Sequence, residues 1–561
     1  MREYKFYDIP ALVCEKDEIT TDPTQNKWQI LDYEAADFKG KLLFAAEDSS
    51  PAPLTLDPGV QGRYRVYIGL ITPLGDGFGG TSTGFGLLSE EAKTQFFTVR
   101  PDDCWKPLEW FEESYYGTVD LTGEKFVLSK PERQGVVKAP LNSALAWIRL
   151  VEDTEEEIKS TPCMAYHFDL DYFADDKYNS PAETLGRMRM LKDGAPEIIL
   201  HERFTLHDVN AVKNSGVEAQ WGKYYYDHLE ETENAIVSEA HSMGAKIYAS
   251  YRIQAGGFGY FARYLNATYE DMWFAEHPEY RCVTRDGRII NTSSFAYPEV
   301  RRRVVEMIVN GSENFDGACV FFHRGIVIAF EEPVKQMVYE KYGVDAARLP
   351  MTDPRLNEAF CHFVTLFMRE LREALGDKKD INAIVFYGAE DSRNSGYDVK
   401  AWVDEGLVNG ICQGLMTHYE TLDGLMADDG LIDLEKYKKA LTERSIVCRT
   451  FSAFDLERIS NGARELMEIC DGKADFRATL GWERTPLETT IAIADTHKRM
   501  GVKKFISWNT NHKAKILKRL NFEKYYVGGN AELYEPRKTN YVRTMSLAGD
   551  DISTYNIDWK G

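Results

Sequence analysis

The feature that most constrains this chain is an alternation that starts near residue 164. Short apolar runs of strand character take turns with amphipathic helical stretches. The runs are MAYHFDL (164–170), EIILHERF (197–204), KIYASYRI (246–253) and GACVFFHRG (317–325). Four more follow: INAIVFYGAED (381–391), VNGICQG (408–414), SIVCRTF (445–451) and KKFISWNT (503–510). Helical patterns over 224–243, 298–310, 356–375 and 487–500 each run into a glycine, at Gly244, Gly311, Gly376 and Gly501. Glycine at that position ends a helix without steric cost. Eight strand–helix units over roughly 400 residues predict a (β/α)8 TIM barrel. An open doubly wound sheet seldom needs eight such strands.

Residues 1–152 read differently. GRYRVYIGL (62–70) and ALAWIRLV (144–151) have strand period, and no long helical pattern appears. The glycine-rich GDGFGGTSTGFG (75–86) reads as a hairpin connection, because no GxGxxG stands there between a strand and a helix. VDLTGEKFVLS (119–129) reads as a second hairpin. This half is expected to be an antiparallel β-sandwich accessory domain, the stretch EDTEEEIKS (152–160) a linker, and 161–561 the catalytic barrel. Long connections are expected after the third and fourth barrel strands. The first carries Phe258, Tyr260, Phe261, Tyr264, Trp273, Phe274 and Tyr280, and is read as a cleft wall, a packed subdomain or a dimer contact.

A net charge of −22 repels phosphate backbones, which argues against nucleic acid. No apolar run approaches the length of a membrane span. Nine cysteines without a CxxC pair, several inside apolar strands, read as reduced core residues. With no secretory signal at the start, the cytoplasm is the expected location. The sequence calls for no cofactor and leaves a homo-oligomer open. The 31 Tyr and 10 Trp suit ligands such as sugars, which stack an apolar face and hydrogen-bond at their edges.

Chemistry in such barrels sits at the C-terminal strand ends. The first strand offers His167, Asp169 and Asp171, the second His201 and Glu202, and the third Tyr251 and Arg252. The fourth gives Phe321, His323 and Arg324, the fifth Glu390 and Asp391, the seventh Arg449 and the eighth Trp508.

The segments HPEYRCVTRDGR, FAYPEVRRRVVEMI, FDGACVFFHRG, GYDVKAWVDEGLVNGICQG and FISWN resemble bacterial glycoside-hydrolase-like TIM-barrel proteins, a glycosyl hydrolase family 10-like group mostly without assigned activity. The resemblance implies a carbohydrate substrate and an accessory sandwich before the barrel. It also implies an acid at the fourth strand where this chain has Phe321, a Glu-like position at Cys319, and an aspartate at Asn409.

Three readings follow. In the first, acid–base work moves to other strands of a glycosidase. Glu390 is then the acid with Asp391 its rival, and the partner comes from Asp169, Asp171 or Glu202. His323 would handle protons, while Arg324, Tyr251, Arg252, Arg449, Trp508, Phe321 and Asp171 hold the sugar. Carboxylates on well-separated strands would favour inversion. In the second, His167, Asp169, His201, Glu202 and His323 serve a His- or metal-dependent lyase or isomerase, although their spacing is no recognised metal motif. In the third, the barrel binds carbohydrate without cleaving it.

Overall fold

Eight parallel strands close into a barrel. They are β1 (Met164–Phe168), β2 (Pro196–Glu202), β3 (Lys246–Arg252), β4 (Gly317–Phe321), β5 (Asp380–Val385), β6 (Gly410–Gln413), β7 (Asp475–Trp482) and β8 (Phe505–Trp508). Pairing of β8 back onto β1 sets Trp508 beside His167 and completes the ring. The structure, a computed structural model, describes residues 2–35, 39–46, 48–72, 80–90, 93–99, 110–130, 142–153, 163–168, 185, 188, 190–202, 229–253, 272–322, 327–414, 453–482, 487–508, 538–539, 542–547 and 550–551.

Strand alternation sorts the side chains into two shells. Ala165, Leu200, Tyr248, Cys319, Ile384, Cys412 and Ile506 fill the interior. Their neighbours Ile199, Ala249, Val320, Ala383 and Ile411 face outward into a core shared with the helices. Those helices include α1 (Leu229–Ser242), α2 (Pro298–Gly311), α3 (Glu332–Tyr342), α4 (Pro354–Leu375), α5 (Ala389–Asn394), α6 (Val399–Asp404), α7 (Ala453–Cys470) and α8 (Leu487–Arg499). The Asp353 carboxylate caps α4 by accepting the Arg355 N–H at 2.9 Å, and Gly376 ends it at φ +64°. By contrast, α2 runs through Gly311 and is capped at Ser312.

The seventh strand is not 445–451, which lies outside the described residues, but Asp475–Trp482. Polar residues hid it, because Asp475, Arg477 and Thr479 alternate with Phe476, Ala478 and Leu480. Arg477 is buried, with Nη2 at 3.3 Å from both Glu197 and Asp475, and Lys504 reaches the same two carboxylates at 2.7 Å. This network belongs to the N-terminal strand ends, far from the mouth where chemistry is sought.

The sandwich half contains antiparallel sheets, as expected, with different connections. The strand Gly80–Leu87 occupies the second half of the glycine-rich stretch. Its glycines serve packing, since a methyl at Gly84 would overlap the Ser129 hydroxyl. Residues 119–129 do not form a hairpin. Trp110–Asp120 pairs with Arg63–Thr72, whereas Phe126–Ser129 joins another sheet beside Leu54–Leu56 and Gly80–Leu87.

The barrel does not claim the chain to its end. Lys538–Thr539 pairs with the strand Trp110–Asp120, and Val542–Leu547 pairs with Trp28–Ala35. Strands from the far end of the sequence therefore join the N-terminal sheets.

After β3, the described part of the long connection is a packed unit. The short helix Met272–Glu276 leads to a hairpin of Arg281–Val283 and Ile289–Ser293. Trp273 packs on Phe274, His277 and Tyr280, so these rings contact one another. Phe258, Tyr260, Phe261 and Tyr264 lie outside the described residues. No described helix is long and apolar enough to cross a membrane.

Candidate active site

Five strands bring polar and aromatic side chains together inside the C-terminal end of the barrel. On β2 and β3, Glu202 and Arg252 both turn inward and pair. Nε lies 2.7 Å from one carboxylate oxygen and Nη2 donates to the other at 3.2 Å. Both are buried, and their pairing offsets part of the cost of holding two charges out of water. Beside them, His167 Nε2 lies 3.1 Å from the Ser250 hydroxyl. The imidazole is 4.5 Å from the Trp508 ring and 5.2 Å, edge-on, from Phe321, and those two rings are 5.1 Å apart. The Arg252 guanidinium carbon stands 5.9 Å from the Phe321 ring centre. The result is a floor of rings flanked by a buried ion pair.

Phe321 thus occupies the inward position at the mouth, where the family resemblance expects an acid. Cys319, two residues below, faces the barrel interior, and burial lifts its thiol well above the ordinary value. It is a core thiol, not a nucleophile. Asn409 belongs to the opposite end of the barrel, where its side-chain oxygen accepts from Arg372 Nη2 at 2.6 Å and from the Ile381 N–H at 2.8 Å. An aspartate there would sit away from the mouth, so its absence removes nothing from the site.

Alternation overturns one expected sugar contact. Because Arg252 faces inward, Tyr251 faces outward, and its hydroxyl lies 3.2 Å from Ser312 and 3.4 Å from the Ile308 carbonyl on α2. His201 likewise turns outward and stacks on Phe315 at 6.2 Å. The set proposed for a metal is therefore split between two shells. Among the described residues no three His, Cys, Asp or Glu side chains are arranged to hold a metal ion.

Glu390 and Asp391 do not end a strand. Strand β5 stops at Val385, and both carboxylates stand in the first turn of α5. Glu390 is exposed. Asp391 is 3.8 Å from Arg458 on α7, and that guanidinium sits 4.7 Å over the Tyr387 ring. Glu465 of α7 accepts the Ala389 N–H at 3.1 Å. The glycines Gly388 and Gly462 let the two backbones touch, since a methyl at Gly462 would overlap the Tyr387 carbonyl. Helix α7 therefore fixes the turn that presents Glu390.

The structure brings Glu202, Arg252, Phe321 and Trp508 together, with His167 and the unforeseen Ser250. The inward sequence Tyr248, Ser250, Arg252 on β3 carried the signal for that serine. Asp169, Asp171, His323, Arg324 and Arg449 lie outside the described residues.

No family model and no curated protein matches this sequence. Among solved structures, the chain is similar to the glycoside hydrolase domain of PgaB from Bordetella bronchiseptica, at 11% identity and a TM-score of 0.39, over 65% of this chain and 99% of that one. It is similar to an alpha-amylase from Lactobacillus plantarum at 13% identity and 0.31, over 62% and 71%. It is also similar to the GH36 alpha-galactosidase AgaA from Geobacillus stearothermophilus at 9% and 0.35, over 87% and 64%. The barrel stands on its own strand pairing, and the chemistry on its own side chains.

Proposed function

We propose that this chain is a carbohydrate-active hydrolase of the glycosyl hydrolase family 10-like group that its segments resemble, cleaving a glycosidic bond by carboxylate acid–base catalysis at the C-terminal mouth of the barrel. The observation that carries the reading is the floor of Phe321, Trp508 and His167 beside the buried Glu202–Arg252 pair. Flat rings next to fixed polar groups suit a sugar, which offers an apolar face and a rim of hydroxyls. Glu390, exposed in the turn after β5, is the acid, with Asp391 its alternative. Glu202, Asp169 and Asp171 are the candidates for the second carboxylate, and His323, Arg324 and Arg449 are assigned to proton handling and anchoring. Free cysteines and an acidic surface support action in the cytoplasm on oligosaccharides or glycosides.

The test is turnover of a panel of neutral and acidic oligosaccharides and glycosides, followed by product mass, for wild type and Glu390→Gln. Cleavage by wild type that collapses in a folded variant supports the assignment, and cleavage that survives moves the acid to another carboxylate. The Arg252 clamp on both Glu202 oxygens favours a second reading, a barrel that binds carbohydrate without cutting it. Binding by wild type without any product would establish that one.

A further inference from the structure

One carboxylate fastens the connection that follows β4 to the hairpin that follows β3. Glu331 immediately precedes α3, is fully buried, and does not cap its own helix. One of its oxygens accepts the Val283 N–H at 3.0 Å and the other accepts the Ala329 N–H at 3.0 Å. The buried Ser294 hydroxyl and Cys282 thiol lie beside it, the hydroxyl favouring the charged carboxylate. Backbone pairing runs alongside, with Phe330 donating to the Val283 carbonyl at 3.0 Å and Phe295 to the Val327 carbonyl at 2.7 Å.

No cation answers this carboxylate: among the described residues Glu331 forms no ion pair, with Arg281 or any other side chain. Arg285 donates to the Ala347 carbonyl at 3.0 Å and lies 4.5 Å over the Phe330 ring, while Arg288 is paired with Asp286. The titratable groups that face Glu331 are the Cys282 thiol, lifted well above its ordinary value by burial, and the Tyr297 phenol, raised by burial and then by Glu331 itself. Glu332, next in the chain, is also acidic. A carboxylate buried without a counter-charge favours its neutral form. Burial does push the Glu331 carboxyl above the ordinary glutamate value, against the Ala329 and Val283 N–H groups that favour the charge.

We propose that Glu331 is a pH-sensitive clasp: neutral, it holds the connection after β4 to the hairpin, and ionised, it places an uncompensated charge there and loosens that connection. The proton passes to solvent. Between the ordinary glutamate value of 4.5 and the raised one, the closed clasp binds more protons than the open one. Its stability is therefore complete at low pH and is lost as pH rises through the raised value. The clasped connection follows β4, whose last residue, Phe321, belongs to the floor at the barrel mouth. Its bearing on activity rests on the reading that this mouth is the active site.

Hydrogen exchange of the full chain tests the clasp, corrected for the intrinsic rate and followed from about pH 5 to about pH 8. Peptides covering 281–295 and 327–332 should lose protection roughly threefold or more as pH rises, while α4 stays level. Glu331→Gln should flatten that dependence. Ser294→Ala, which withdraws a hydroxyl that favours the ionised form, should move the transition to higher pH and serves if the glutamine variant fails to fold. Protection that stays constant with pH in wild type, falls in step with α4, or does not shift in Ser294→Ala would overturn the proposal. None of these readouts depends on turnover, so this idea and the assignment of Glu390 fail separately.

Discussion

Arg252 and Glu202 meet across adjacent strands inside the barrel with two nitrogen–oxygen contacts of 2.7 and 3.2 Å, and neither side chain is more than 2% exposed. Removing one residue takes from the other the ion pair that it has in the interior. Arg252→Met is therefore expected to destabilise by about 3–5 kcal/mol, with Glu202→Leu comparable. The double variant should recover most of that loss, because it removes both charges of the pair together. Urea unfolding of the three variants checks the order. If the double variant is as unstable as the sum of the singles, the two residues do not act as a pair.

A methyl at position 462 tests how Glu390 is presented. In Gly462→Ala the added carbon meets backbone, the Tyr387 carbonyl and the Gly388 Cα, which cannot swing aside as a flexible side chain would. Overpacking of this kind costs about 1–3 kcal/mol. The displaced α7 should carry the first turn of α5 with it. The expected outcome is a lower melting temperature and, if Glu390 is the acid, a fall in kcat larger than any change in KM. A variant with wild-type melting would show that the contact relaxes freely.

Most of the barrel was legible because its signals are local. Apolar runs of strand length and glycines at helix ends are properties of a few consecutive residues, and both Gly244 and Gly376 take positive φ where the helices before them stop. The seventh strand was not legible because its inward residues, Asp475 and Arg477, are polar and find their partners in Glu197 on β2 and Lys504 just before β8. The same limit applied to Tyr251. Its type suits a sugar site, but its face is set by register, and one residue along the strand separates the barrel interior from the helix layer. Ser250 was passed over because a small hydroxyl between apolar neighbours gains meaning only when His167 arrives from two strands away.

His497 on α8 is buried, and neither ring nitrogen has a hydrogen-bond partner. Burial depresses its pKa to about 4, below the ordinary 6.5. The unfolded chain therefore takes up a proton that the folded one refuses. Stability should fall as pH drops from 6.5 toward about 4, by an amount on the order of 3 kcal/mol. His497→Phe should remove this part of the acid sensitivity while leaving stability at neutral pH within about 1.5 kcal/mol, the usual tolerance for apolar replacement. Melting temperature against pH for the two proteins decides it. Parallel curves would mean that another group sets the acid limit.

The sandwich sheets depend on the end of the chain. Thr539 pairs with Phe111, and Met545 and Ser546 pair with Tyr33 and Asp32. A chain ending at residue 537 would leave the strands Trp28–Ala35 and Trp110–Asp120 with open edges. Unpaired edges recruit other chains. Such a truncation should aggregate with increasing concentration and melt below the full-length protein. A synthetic peptide of residues 537–551 should reverse both effects by restoring the missing pairing. The fragment 1–153 alone should behave the same way, since the two strands it lacks come from beyond the barrel. A fragment 1–153 that is monomeric, melts cooperatively and ignores the peptide would mean that the C-terminal strands only decorate a sandwich already complete without them.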